Sequence, residues 1–263
     1  WGRKFTSGKE CYPCVITTGD MVKVVKNPTF DRRKVAFFMP SGDGPCRFGL
    51  YYQLHRLVLD DLGYNDVPIY APDQGPTLYE DLKVRGTAVD RKAWQGVVAV
   101  DILDKLLRQT RPYEVNPGET DAVYQESLNL ICESILQDCL QQALLKVKNK
   151  FLQIAVDKSQ RKPLIGIVGE IFVRSHPFSN NNLVREVERL GGEVFLPPFI
   201  EWIYYTNYTR RRNSLAKSNY TDYFKAVLKN HVQHKDEKVL LKPFHSVLRG
   251  GGHEPDIEDI VAL

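Results

Sequence analysis

The chain has 263 residues, 43% of them hydrophobic, enough for one large hydrophobic core or two smaller ones. Its formal charge is only +4, with Lys and Arg interleaved with Asp and Glu, so electrostatics give no reason to expect a nucleic-acid partner. No apolar run approaches the roughly 20 residues that span a bilayer, the opening WGRKFTSGKE lacks a signal-peptide pattern, and five cysteines are an odd count for a disulfide framework. The expectation is a cytoplasmic protein with no membrane partner.

In chain order, Cys11-Tyr12-Pro13-Cys14 opens an amphipathic helix over residues 11–25, with Val15, Ile16, Met21, Val22, Val24 and Val25 as its apolar positions. A helix start stabilises a thiolate through its free N–H groups and dipole. Val35 to Pro40 reads as a strand covered on both faces, Ser41 to Pro45 as a loop, Cys46 to Leu62 as a helix capped by Gly63, and Val67 to Pro72 as a second strand. Strand, Gly-rich loop, helix and strand make one parallel crossover, which puts Cys46 where open α/β sheets bind ligands. A polar connection leads to a helix over Arg91–Leu107. Thr120 to Val156 then stays helical without Gly or Pro, as one long helix or a pair. Cys132 and Cys139 lie there seven residues apart, on one face, and read as buried structural thiols. A second strand–loop–helix–strand unit follows, with a buried strand over Leu164–Ile171, a loop holding Arg174 and His176, a helix over Leu183–Leu190 and a strand from Glu193 to Pro198. Helices over Phe199–Tyr208 and Tyr220–Val232 come next, and Leu248 to Pro255 reads as a flexible loop before a terminal helix start. These elements suggest an α/β chain in three parts. Residues 1–115 form a first α/β unit with the Cys motif, 116–160 a helical segment, and 161–263 a second α/β unit. The abrupt start at Trp1 and the helix start at the end suggest a fragment of a longer polypeptide.

Cys11, Cys14 and Cys46 admit several chemistries. Inert core thiols are one. Cys-x-x-Cys is half of a structural zinc site, but no second pair completes it. Three cysteines on separate loops can bind an iron–sulfur cubane if a fourth ligand is supplied. A thioredoxin-like dithiol lacks its preceding strand. Gly42-Asp43-Gly44 and Gly250-Gly251-Gly252 match neither a dinucleotide fingerprint nor a phosphate loop, and read as turns. His176, near Arg174, fits an acid–base or anion-binding role, or simply loop packing and capping around Ser179 and Asn180. His245 and His253 carry weaker versions of the same reading.

Three blocks in order carry a family resemblance: Gly8-Lys9-Glu10-Cys11-Tyr12-Pro13-Cys14; Met39-Pro40 with Gly44-Pro45-Cys46-Arg47-Phe48-Gly49; and Val168-Gly169-Glu170-Ile171-Phe172-Val173-Arg174 running into Pro177-Phe178-Ser179-Asn180-Asn181-Asn182-Leu183. They resemble 2-hydroxyacyl-CoA dehydratase components. The likeness is closest to the branch associated with an ATP-dependent activase, related to benzoyl-CoA reductase subunits and double-cubane cluster proteins. The resemblance implies two Rossmann-like domains with a helical part between them and an iron–sulfur cluster, 4Fe-4S or double-cubane, held between the domains. It implies Cys11 and Cys46 as ligands. A further ligand is expected in a Cys-Met-Pro-Gly block beyond His253-Glu254-Pro255 that this sequence does not reach, leaving Cys14 to substitute, to bind zinc or to stay free. It also implies a low-potential electron delivered by the activase. Arg47, Arg174 and His176 are then candidates for polar or anionic groups of an acyl-CoA substrate. The alternative from another class is a non-redox docking or structural domain for the activase, with zinc or no metal.

Overall fold

The computed structural model describes residues 1–42, 46–73, 87–252 and 257–261. The expected polar connection over 74–86, the loop residues 43–45 and the segment with His253 lie outside the described residues. The contacts divide the chain into two compact units, Trp1–Gly86 and Thr87–Leu263, where the sequence suggested three parts with boundaries after residues 115 and 160. Both units mix helices with a small parallel sheet, and helices predominate.

In the first unit, α1 (Tyr12–Val25) starts with Pro in its first turn, where a missing N–H costs nothing. Strands β1 (Phe37–Phe38) and β2 (Ile69–Tyr70) flank α2 (Tyr51–Asp61) and pair in parallel, Phe37 with Ile69 and Phe38 with Tyr70. The ladder runs past the assigned strands: Ser41 N–H donates to Pro72 O at 2.9 Å. The expected crossover is therefore present. Its core is Met21, Val22 and Val25 of α1 against Val58 and Leu59 of α2 and Val67. Gly63 closes α2 at φ +79°, the left-handed backbone its position predicts.

In the second unit, α3 (Thr87–Thr110) is the central element. Trp94, Val98, Ala99, Ile102, Leu103 and Leu106 recur at helical spacing and are all buried. Around it pack α4 (Glu119–Leu136), α5 (Leu140–Gln153), α8 (Phe199–Ala216) and α9 (Tyr220–Leu241), with Phe244 fully buried in the same cluster. Of the two readings of Thr120–Val156, one long helix or a pair, the structure has the pair, broken at Gln137–Cys139 where Asp138 takes φ +57°. This break overturns the expectation of two buried thiols on one face. Cys132 is exposed on α4, and Cys139 is half-buried outside the helices, at the cap of α5.

Strands β3 (Leu164–Gly166) and β4 (Glu193–Phe195) pair in parallel, with α6 (Ile171–Ser175) and α7 (Leu183–Arg189) between them. The expected fully buried strand is not found, because Leu164, Ile165 and Val168 are exposed. The reason is that Val184 and Val187 cover only Ile167, Val194 and Leu196, leaving the rest of a two-stranded sheet open. Glu193, 1% exposed, is held by both Arg249 contacts at 2.7 Å and by the Tyr113 hydroxyl at 2.9 Å. Arg249 opens a short turn through Gly252, so this part of the expected flexible loop is anchored. A five-residue helix, α10 (Ile257–Val261), packs on α8. The α8–α9 hairpin is basic: residues 199–242 hold nine Lys and Arg against four Asp and Glu.

No helix among the described residues is long and apolar enough to cross a membrane.

Candidate functional site

The first unit gathers the N-terminal thiols. Cys11 caps α1 with extended backbone (φ −59°, ψ 143°), so its side chain stands at the positive end of a 14-residue helix. The loop before it is pinned by Glu10, whose carboxylate accepts from Ser7 N–H at 3.1 Å, Ser7 Oγ at 2.9 Å and Lys9 N–H at 3.1 Å. These bonds, Ser7 N–H first, lower the Glu10 pKa to about 2. Cys46 ends the loop after β1, and the chain turns from it through Arg47–Leu50 into α2. The turn requires Gly49, whose missing Cβ would lie 2.1 Å from Gly42 O. Arg47 Nη1 donates to Lys9 O at 2.8 Å, tying the Cys46 loop to the Cys11 loop.

Tyr51 is the residue on which the thiols converge. It is 6% exposed at the start of α2. Burial raises its pKa most, with the neighbouring Cys11 side chain next and the charges of Cys11, Cys14 and Cys46 acting in the same direction. Cys11 and Cys46 are exposed and Cys14 is buried. Burial, with Glu10 and Cys11 close by, pushes the Cys14 thiol up to about 11. Below these groups His55 Nε2 meets Thr17 Oγ1 at 3.2 Å, and burial lowers the His55 pKa to about 4, keeping the ring neutral.

The donor chemistry suits a soft metal group: Cys11 and Cys46 are accessible sulfurs on two helix-leading loops and would hold it, while Cys14 faces the core. Among the described residues, no three His, Cys, Asp or Glu side chains are arranged as a complete metal-ligand set.

Arg174 and His176 belong to the second unit. Arg174 Nη2 donates to Pro197 O at 3.3 Å and its Nε is buried without a partner, beside a cavity of about 430 Å3 also lined by Asp101 and Arg108. His176 is engaged locally, with Nδ1 2.7 Å from Ser179 Oγ and its ring stacked on Phe172. Asn180 Oδ1 accepts from Leu183 N–H at 3.2 Å, while the N-cap position of α7 is Asn182, whose side chain makes no capping bond.

Sequence reasoning placed the thiols but missed Tyr51 and His55, counting Tyr51 as an apolar helix position. The available signal was their i, i+4 spacing, which puts both on one face of the helix that follows Cys46.

No protein-family model, curated protein or solved structure matches the chain.

Proposed function

We propose that the chain is a low-potential iron–sulfur electron-transfer or reductase module of the 2-hydroxyacyl-CoA dehydratase–activase family. In this reading its two α/β units are Rossmann-like, it works in the cytoplasm, and its partner is an ATP-dependent activase. The observation that carries the reading is the Arg47 bond to Lys9 O at 2.8 Å, which ties the Cys46 loop to the Cys11 loop. Cys11 and Cys46 would supply thiolate ligands to a cluster completed by ligands from elsewhere. Such a group supplies one electron at very low potential, as needed to remove an unactivated β-hydrogen or reduce a very stable thioester. Tyr51, buried beside Cys11, is placed to tune a ligating thiolate there. Arg47 has donors beyond the one given to Lys9 O and is the nearest candidate for an anionic substrate group. Arg174 and His176 are assigned to the substrate with less support, since His176 is already bonded within its own loop.

The test is iron and sulfide analysis with electron paramagnetic resonance on anaerobically purified protein. Bound iron is expected in the wild type, nearly all of it lost in Cys11→Ser and Cys46→Ser and retained in Cys14→Ala. A wild type free of iron under those conditions sinks the proposal. A second reading is a non-redox docking domain for the activase with zinc or no metal. Unchanged activase-coupled activity in the Cys11→Ser, Cys46→Ser double variant would select it.

A further inference from the structure

A second polar site lies wholly within the second unit, away from any cysteine. A cavity of about 360 Å3 is lined by Arg211 of α8, by Asn230, His231, His234 and Lys238 of α9, and by Glu258 of α10. Positions 231, 234 and 238 are spaced by three and four residues, so one face of α9 presents all three basic side chains. Arg211 is 21% exposed and its Nη2 lies 2.6 Å from Glu258 Oε1. That pairing leaves the Arg211 Nε buried with no acceptor.

Two features of this arrangement point to a ligand. A buried donor without a partner costs about 1–3 kcal/mol, and a guanidinium offers its donors as a fork shaped for two oxygens of one group. Glu258 satisfies one prong only. Glu258 itself is 56% exposed on a five-residue helix, and the ion pair of an exposed carboxylate contributes about 0–1 kcal/mol. The other acid near the histidines is Glu237, 3.6 Å from His234 Nδ1, and it already accepts the Tyr204 hydroxyl. A tetrahedral anion has oxygens for both prongs and further acceptors for Lys238, His231 and Asn230.

We propose that this cavity is a phosphate-binding site in which the Glu258 carboxylate stands in for the anion. Binding displaces Glu258 from Arg211, so occupancy of the site and the docking of α10 on α8 are competing states. The experiment titrates the protein with inorganic phosphate at constant ionic strength against chloride, read by calorimetry. Saturable binding is expected, tightened about threefold by Glu258→Gln, which removes the competing charge. Arg211→Met should weaken it about tenfold, the scale of one lost charged hydrogen bond. No saturable binding in either wild type or Glu258→Gln overturns the proposal, as does wild-type affinity in Arg211→Met. Should Arg211→Met fail to fold, the ring resonances of His231 and His234 decide in the wild type. Shifts that saturate with the calorimetric curve support the site, and rings that do not respond overturn it.

Discussion

His55 and Asp101 are both buried and both titrate away from their usual range, with opposite effects on stability. Burial lowers the His55 pKa to about 4, so between the ordinary histidine value and about 4 the unfolded chain binds the extra proton. The first unit should therefore lose stability as pH falls from about 6.5 to 4, by on the order of 2–3 kcal/mol. Burial raises Asp101 to about 6, although its carboxylate caps α8 by accepting from Phe199 N–H at 3.0 Å and Ile200 N–H at 2.9 Å. Its contribution is present at low pH and is lost as pH rises from the ordinary aspartate value through about 6. Hydrogen exchange followed peptide by peptide between pH 4.5 and 7 should show α2 loosening on acidification, and His55→Leu should flatten that response. An α2 protection profile with the same slope in His55→Leu would refute the assignment.

At the scale of elements, the connection from β1 into α2 depends on one close approach. A Cβ at Gly49 would overlap Gly42 O, and both partners are backbone, so neither can swing aside. Gly49→Ala is expected to cost about 1–3 kcal/mol in the first unit, measured by denaturant unfolding, and to reduce iron uptake by displacing Cys46. A variant with wild-type stability would show that the turn adapts. The elements themselves were largely legible in the sequence. Gly63 and Gly191 mark helix ends where expected, both at positive φ, and the two parallel crossovers follow from apolar runs bounded by Gly and Pro. The position of the break at Asp138 was not legible, because Gln137-Asp138-Cys139 contains neither Gly nor Pro. The thiols were legible by residue type. Tyr51 was hidden because an aromatic at helical spacing reads as core, and only the fold brings it beside the thiols. The cavity around Arg211 was equally hidden, since it joins side chains from positions 211, 231–238 and 258 that no local period connects.

For the molecule as a whole, each unit owns its hydrophobic core. Met21, Val22, Val58 and Leu59 serve the first, and the cluster from Trp94 to Leu248 serves the second. Residues 87–263 expressed alone should keep their helical circular dichroism and unfold cooperatively, since every member of their main cluster is retained. A broad, non-cooperative transition would show that the second unit needs the first. The α8–α9 hairpin has a consequence for the whole chain. Its nine cations against four anions give a formal +5, whereas the complete chain carries +4. The remaining residues together are slightly acidic yet hold basic stretches of their own at residues 1–34 and 140–162, so the nearly neutral total conceals several local concentrations of positive charge. A cation exchanger should therefore retain the protein at low salt despite its small net charge and release it as salt screens these stretches.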